Sequence, residues 1–368
     1  MRLLFAAAAS LVAAAAASAG VAPRPETLVS VPNGTISGFT QDGPLVAWFV
    51  RQPGGRCNTV NVLSLASALR STLPSQAARN VTCTWQVESR VRLAVDDSSR
   101  VLWTLSERAP LEYDYLIGAG PPPADRRERR FQQLAHTNKG AGLWLGGVAG
   151  NGSTLAYAVT SVEYVDEAGC LAGTDTCAVE ISKQGSGVYR FDGWRPQLVP
   201  RTGAAVELAV SDETVAYVPT SALSKQGKPL PGADLPISIV DAKTGLQIAS
   251  VTPQGTPVAI ALAPHILASL ERTPLGVRIA WYDAATGQAL GSVPVSAATA
   301  AELTATDAFV AFRVGRSIRV VDLATGDVRT VATAASTPIG LSLQDSRLAW
   351  AENPKHGLAR IRALRLAP

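Results

Sequence analysis

The sequence predicts an all-β chain made of seven similar sheets, and three observations support this fold class. A turn phrase of the form Asp-x-x-Thr-Gly occurs at 241–245, 283–287 and 322–326. A longer pattern occurs seven times, in which an alternating strand, a short polar turn and a strand with a central aromatic residue follow one another. No segment between the copies has the 3.6-residue period that indicates an amphipathic helix.

The seven copies repeat with a mean step of about 50 residues, which is typical of propeller repeats. They are found at 37–50, 91–106, 146–160, 208–220, 260–271, 303–314 and 341–352. Further strands follow each copy, as in PISIVDAKTGLQIASV (236–251), so that one unit holds four strands. The sequence therefore predicts a seven-bladed β-propeller of four-stranded antiparallel blades. Eight blades, or six with a split N-terminal region, are the alternatives.

The repeated residues are interpreted as structural. In the phrase Asp-x-x-Thr-Gly, the Asp accepts backbone N–H groups and the Gly supplies a left-handed residue, which predicts a tight turn between the third and fourth strands. Aromatic residues recur in the second strands and should pack between blades. They are Trp48, Trp103, Tyr157, Tyr217, Phe312 and Trp350. Only Trp194, in the turn of YRFDGWRPQ, is expected to be free for stacking on a ligand.

The two ends of the chain are expected to close the ring. The last unit has a third strand at 359–366 and then no fourth strand. A spare strand, ETLVSV at 26–31, precedes the first blade. Because an unpaired sheet edge is a liability, we expect this N-terminal strand to complete the seventh blade.

The first residues predict export. Arg2, an apolar run and Ala17-Ser18-Ala19 indicate a signal peptide at 1–19, followed by one propeller domain at 20–368. An uncleaved membrane anchor is the alternative. The formal net charge of +4 includes no long basic block, which argues against nucleic acid as a partner. We expect a monomeric, extracytoplasmic protein of a bacterial cell envelope, with no membrane span after cleavage.

The blade motifs resemble those of a broad superfamily of bacterial repeat propellers, the TolB-like, YVTN-like and WD-like groups. This resemblance covers the whole mature chain and implies the propeller fold. The phrase DAATG (283–287) also resembles the turns of quinoprotein dehydrogenase propellers, which place a docking Trp soon after the Gly. The three phrases here have no such Trp. No organic cofactor is therefore expected.

The longer connections are predicted to share one face of the ring, and such loops are where rigid scaffolds usually bind partners. They are 51–58, 106–114, 163–187, 221–234 and 351–357. The candidate ligand-binding residues are Arg51, Arg56, Arg108, Trp194, Lys225 and Lys228. Asp166, Glu167 and Asp175 are candidates for a structural calcium site, because Ca²⁺ takes carboxylate and carbonyl oxygens. A solvated loop is the alternative interpretation of these acids.

These features favour an exported, non-catalytic propeller that recognises a protein, peptide or glycan of the cell envelope on its loop-rich face. The alternative is a lactonase-like hydrolase or a lyase that uses carboxylates or a metal at the central channel. No residue is identified as catalytic, because the sequence contains no G-x-S-x-G and no H-E-x-x-H motif. Only three His residues are present.

Four cysteines lie in the mature chain, and an even number in an oxidising compartment favours disulfides. Pairing of neighbours, Cys57 with Cys83 and Cys170 with Cys177, is preferred among the three possible connectivities. A zinc site is the alternative, although no Cys-x-x-Cys sequence is present.

Mass mapping of a non-reduced digest tests the cysteine pairing. We expect one peptide that links 57 to 83 and one that links 170 to 177, because each pair would join strands of a single blade. A link from 57 to 170, or from 83 to 177, would contradict both the pairing and the blade boundaries.

Overall fold

The structure is a computed structural model. It describes residues 24–53, 58–68, 70–74, 91–108, 112–120, 129–136, 141–166, 177–232, 235–295 and 299–367. Over these residues the chain forms 30 strands and no helix. Accordingly, no helix in this part of the chain is long and apolar enough to cross a membrane.

The first three blades follow each other in chain order. Blade one contains β2 (Thr35–Asp42), β3 (Leu45–Arg51), β4 (Thr59–Ser64) and β5 (Arg70–Pro74). Blade two contains β6 (Leu93–Val95), β7 (Val101–Arg108), β8 (Glu112–Ala119) and β9 (Arg129–His136). Blade three contains β10 (Gly142–Asn151), β11 (Thr154–Tyr164), β12 (Val179–Asp192) and β13 (Arg195–Leu198). A pairing of His136 with Gly142 joins blades two and three into one eight-stranded sheet.

The next three blades have the same antiparallel order. Blade four contains β14 (Ala205–Ser211), β15 (Thr214–Pro219), β18 (Ile237–Asp241) and β19 (Gln247–Val251). A two-stranded insertion precedes β18 and consists of β16 (Ala222–Leu223) and β17 (Pro229–Leu230). Blade five contains β20 (Thr256–Leu262), β21 (Ile266–Thr273), β22 (Gly276–Asp283) and β23 (Ala289–Val295). Blade six contains β24 (Ala300–Ala305), β25 (Phe309–Val314), β26 (Ser317–Asp322) and β27 (Val328–Thr333).

Blade seven is built from both ends of the chain. It contains β28 (Ile339–Gln344), β29 (Arg347–Glu352), β30 (Ala359–Arg365) and, as its outer strand, β1 (Glu26–Val31). The β1 strand runs antiparallel to β30, from the pair Glu26↔Ala363 to the pair Val31↔Ala359. The predictions of seven blades and of closure by the N-terminal strand are both confirmed.

Side chains fasten blade seven to blade one at both ends of their contact. The Asn353 amide accepts a hydrogen bond from Ile36 N (2.9 Å) and donates one to Ile36 O (2.8 Å). At the other end, Gln41 Nε2 donates to Ser342 O (2.9 Å), and Arg347 Nε donates to Gln41 Oε1 (3.0 Å). The junction of the two chain ends is therefore held by side chains as well as by the β1–β30 ladder.

The core consists of seven apolar clusters, and each cluster fills one interface between neighbouring blades. The second-strand aromatics lie in these interfaces. Trp48, Trp103 and Phe312 are 0% exposed and Trp350 is 1% exposed. Their predicted role in packing between blades is confirmed.

The repeated turn phrase also has its predicted role. Asp241 Oδ1 accepts hydrogen bonds from Thr244 N (2.7 Å), Thr244 Oγ1 (2.7 Å) and Lys243 N (3.1 Å). The hydrogen bonds from Thr244, followed by that from Lys243, lower the pKa of the Asp241 carboxyl. Gly245, with φ +66°, completes the turn, and the bonds of Asp241 recur at Asp283.

Two buried glutamates make equivalent contacts in blades five and seven that were not predicted from the sequence. In blade five, Glu271 is 0% exposed, pairs with Arg278 (2.8 Å) and accepts the backbone N–H of Gln254 (3.1 Å). In blade seven, Glu352 pairs with Arg360 (2.6 Å) and accepts the backbone N–H of Ala335 (2.8 Å). In both blades, a glutamate of the second strand thus hydrogen-bonds the backbone of the segment that connects the preceding blade to this one.

Deletion of the closing strand tests its contribution to stability. Removing residues 20–32 leaves the β30 edge unpaired, and each lost ladder hydrogen bond contributes about 1 kcal/mol. We expect a Tm lower by about 5 °C or more in a thermal melt followed by circular dichroism. The matched control lacks only residues 20–23, which precede β1, and should melt like the intact mature chain. Equal melting of all three proteins would show that β1 does not hold the ring closed.

Candidate functional site

The two faces of the ring differ in the length of their connections. The turns between the first and second strands of every blade, and those between the third and fourth, lie on one face, which we call the turn face. The other connections lie on the opposite face, which we call the loop face. Most turn-face connections are short, whereas the insertion with β16 and β17 and the hairpin end of β11 and β12 belong to the loop face.

The central channel opens on the turn face into a cavity of about 770 Å³, which we call the mouth. All seven blades contribute to its wall. The lining consists of residues 40–44, 93, 97, 148–152, 208–212, 260–264, 303–308 and 341–345. Apolar side chains of the innermost strands form the deeper part, among them Val148, Leu208, Ile260, Leu303 and Leu341. Polar turn residues form the rim.

The rim of the mouth is acidic. Its lining includes Asp42, Asp97, Asp212, Asp307 and Asp345, and no Lys or Arg among the residues that the structure describes there. Four of these side chains are exposed, whereas Asp42 is buried. The whole chain has a formal net charge of +4. The described lining of the mouth thus carries five carboxyl groups on a weakly basic protein, and a cation borders it, since the guanidinium of Arg347 contacts Gln41 and Gly43.

Asp42 is the buried member of this acidic group. Its Oδ1 accepts a hydrogen bond from Asn151 Nδ2 (2.9 Å), and Asn151 Oδ1 accepts one from the backbone N–H of Asp212 (3.0 Å). Asn151, in blade three, thereby connects blade one with blade four. Gly152 has φ +53°, a left-handed conformation that favours glycine, and it lies against the exposed carboxylate of Asp212.

The surroundings of Asp42 favour its neutral form. Burial, which is the largest effect, raises the pKa of Asp42 from 3.8 to about 6. A hydrogen bond from the Gly152 backbone opposes this shift, while the charges of Asp97, Asp96 and Asp212 add to it. The mouth therefore contains one carboxylate that changes charge in mildly acidic solution.

Trp194 lies on the turn face, in the turn between β12 and β13, rather than among the long loops. Its ring is half-buried, with an edge contact to Phe191 at 6.3 Å and the Arg100 guanidinium 5.7 Å from its centroid. Arg100 is held in turn by Asp96, with Nε 2.6 Å from Oδ2. These contacts connect blade two with blade three, and the role of Trp194 in stacking on a ligand stays a prediction.

The other predicted ligand-binding residues do not form one cluster. Arg51 is exposed at the end of β3 in blade one. Lys225 and Lys228 are exposed in the hairpin of β16 and β17 in blade four, which is not adjacent to blade one. Arg108 ends β7 in blade two, but its side chain is outside the described part, as is Arg56 entirely. The role of these residues in binding stays a prediction.

The predicted calcium and disulfide positions are largely outside the described residues. Asp166 is exposed, while Glu167 and Asp175 fall in the segment 167–176, which is not described. Within the described ranges, no group of three or more His, Cys, Asp or Glu residues is arranged to hold a metal ion. Cys177 is not a free thiol, but Cys57, Cys83 and Cys170 are outside the description, so the pairing stays a prediction.

Comparison with known proteins supports the fold and nothing finer. No protein-family model matches the chain, and no curated protein matches it. Among solved structures, the β-propeller domain of the Trilobed protease from Pyrococcus furiosus is similar, with a TM-score of 0.52 and 10% identity over 90% of this chain and 93% of that one. That domain is described as having an open velcro topology, whereas here β1 closes blade seven.

A second similar structure is the acylaminoacyl peptidase of Pyrococcus horikoshii, with a TM-score of 0.53 and 12% identity. The match covers 90% of this chain and 51% of the peptidase chain. At such low identity both likenesses show the propeller fold alone.

The acidic rim was missed in the sequence, although a signal for it is present. The repeated units place Asp or Asn in the first turn of six blades, as in TQDG, VDDS, AGNG, VSDE, ATDA and LQDS. Each residue alone is an ordinary turn former. Because equivalent turns of a propeller converge on the channel, their recurrence at one position of the repeat predicts a ring of polar side chains.

The pH dependence of stability tests the environment of Asp42. Asp42 has a pKa near 3.8 in the unfolded chain and about 6 in the folded protein. Its protonated form therefore stabilises the folded protein fully below pH 3.8, and this stability is lost as the pH rises through about 6. The shift corresponds to about 3 kcal/mol. Asp42→Asn replaces the titratable carboxyl with an amide, whose oxygen can still accept the hydrogen bond from Asn151 Nδ2. In urea unfolding at pH 4, 6 and 8, we expect Asp42→Asn to gain stability relative to the native protein as pH rises.

Asp345→Asn is the matched control for this experiment. Asp345 is an exposed rim carboxylate with φ +51°, a conformation that Asn tolerates well. Its pH profile should follow that of the native protein. Parallel profiles for Asp42→Asn and the native protein would contradict the raised pKa.

Proposed function

We propose that the protein is an exported, non-catalytic β-propeller that binds a basic peptide segment of a cell-envelope partner in the mouth of its channel. One observation carries this proposal. The large cavity that all seven blades line has five Asp residues and, in the described lining, no Lys or Arg. A concave site of one charge sign attracts ligands of the opposite sign.

The shape and lining of the mouth suit extended cationic side chains. A volume of about 770 Å³ lies within the range of roughly 300–1,000 Å³ for sites that take small ligands, so it admits side chains but no folded domain. Lys and Arg carry long apolar stems below their charged ends. Their stems would pack on residues such as Leu208 and Ile260, while the charged ends would reach the rim carboxylates.

One observation favours a second function. Asp42, with its pKa raised to about 6, has the kind of carboxyl that serves as a general acid or base, and it lies at the channel as a carboxylate hydrolase would require. Its hydrogen bonds to Asn151 and Gly152 also have a structural purpose, because they join blades one and three. We therefore rank binding first and a hydrolase second.

Several finer features belong to the same proposal. We propose that the chain acts outside the cytoplasm as a monomer, without an organic cofactor, and that Asp166, Glu167 and Asp175 hold a structural calcium ion. The long loops remain a second surface for the partner. The exposed Lys225 and Lys228 would give that surface a preference for acidic rather than basic segments.

Titration with penta-lysine measures binding at the mouth. We expect binding to the native protein in isothermal titration calorimetry at 20 mM salt and weaker binding at 300 mM salt, because salt screens exposed charges. The triple variant Asp97→Asn, Asp212→Asn, Asp345→Asn should bind at least about tenfold more weakly, at about 0.5 kcal/mol for each exposed charge.

The matched control removes three charges from the same face outside the mouth, through Asp192→Asn, Glu213→Gln and Asp327→Asn. It should bind penta-lysine like the native protein. Equal losses in the two triple variants would show a non-specific effect of net charge.

A variant in which a short turn replaces residues 221–234 tests whether the partner binds the loop face instead. Capture of the native envelope partner should survive this change and fail in the mouth variant, and the reverse result would assign binding to the loop face. Turnover of lactone or glycoside substrates that Asp42→Asn abolishes would replace the binding function with the hydrolase.

A further inference from the structure

A second cavity of about 380 Å³ lies where blade seven meets blade one, away from the mouth. The end of β1, Val31, and the connection that follows it, with Pro32 and Asn33, form one wall. Blade one forms the other wall. It contributes Val50, Gln52, Thr59, Asn61 and Arg70. The volume is within the range of roughly 300–1,000 Å³ that is usual for small-ligand sites.

Arg70 is the one charged residue in the described lining of this cavity. Its guanidinium carbon lies 5.2 Å from the centroid of the Trp48 ring, and its Nη2 donates to Asn61 Oδ1 (3.2 Å). Asn61 is itself 2% exposed and donates to Thr59 Oγ1 (3.2 Å). Arg70 is exposed, and an amide and an indole contact its guanidinium from the protein side.

The setting of Arg70 differs from that of the other arginines with described ion pairs. Five arginines pair with carboxylates of the protein: Arg92, Arg100, Arg278, Arg313 and Arg360. Arg70 pairs with none of the carboxylates that the structure describes. Because Asn61 occupies one Nη2 donor only, further donors of the planar fork remain for a ligand.

Neutral hydrogen-bonding groups complete the cavity. The side-chain amides of Asn33 and Gln52 have no partner among the described residues and can donate to oxygen atoms. The Thr59 hydroxyl accepts from Asn61 and keeps its own proton to donate. Val31 and Val50 are buried at 4% and 2% exposure and supply an apolar floor. One cation with several neutral donors is complementary to a ligand that carries a single negative charge on oxygen.

We propose that this cavity binds a carboxylate group, carried by a small organic acid or by the C-terminus of a peptide. Arginine recognises carboxylates through two parallel N–H···O bonds, and one arginine balances one carboxylate. A phosphate dianion would leave an unbalanced charge in this lining. The site is separate from the mouth, and its ligand has the opposite charge sign, so the two proposals stand or fall independently.

Calorimetric titration with N-acetylglycine, which imitates a peptide C-terminus, tests the site directly. The native protein should bind N-acetylglycine saturably, and N-acetylglycinamide, which lacks the charge, at least tenfold more weakly. Acetate identifies the source of the carboxylate: tighter binding of acetate indicates a small acid, and tighter binding of N-acetylglycine indicates a chain end. Equal binding of N-acetylglycine and its amide, or preference for inorganic phosphate, would overturn the proposal.

Variants separate the cavity from a general effect of positive charge. Arg70→Gln should weaken N-acetylglycine binding at least tenfold, and Arg70→Lys should weaken it less, because the charge remains while the fork is lost. Gln52→Ala touches neither Trp48 nor the ladder of blade one and should weaken binding several-fold even if Arg70→Gln is unstable. Arg316→Gln removes an exposed arginine from a turn in blade six and should change nothing. Native affinity in both Arg70→Gln and Gln52→Ala would refute the site.

Discussion

The antiparallel pairing of β1 with β30 is the interaction on which the ring depends, because it joins the two ends of the chain in one sheet. Without it, blade seven has an open edge and its interface with blade one loses Val29 and Val31. The interface then keeps the hydrogen bonds of Asn353 and Gln41 and a smaller apolar cluster around Ile36 and Trp48. The mouth requires all seven blades in place, since each of them contributes part of its lining.

Closure explains why the proposed sites have the positions they do. The innermost strands of a closed ring converge, so short turns that are far apart in sequence become neighbours around the channel. Asn151 contacts Asp42 across 109 sequence positions and Asp212 across 61. At the rim of the ring, the β1–β2 connection creates the second cavity, where it passes the outer strands of blade one. Both sites are thus products of the ring and belong to no single blade.

The fold was predictable because its signals are local and repeated. The phrase at Asp241 specifies its turn through bonds within five residues, and Trp48 and Trp350 occupy the same position of their units. The sites were less predictable, because their chemistry depends on residues from different blades. Asp42 looks like a turn former until Asp97 and Asp212 are seen beside it. The contact of Trp194 with Arg100 was not predictable, because Arg100 is 94 positions away in the sequence.

The topology of blade seven also has a consequence for the order of folding. Glu26 and Ala363 are the first and last partners of the closing ladder, so β1 cannot pair until almost the whole chain has been synthesised. β1 is made first, so it has no partner until β30 follows it. An unpaired strand of this kind can pair with other chains and promotes aggregation. The exposed residues of β1 are Glu26, Thr27 and Ser30, and their charge and polarity act against such pairing while β30 is still absent.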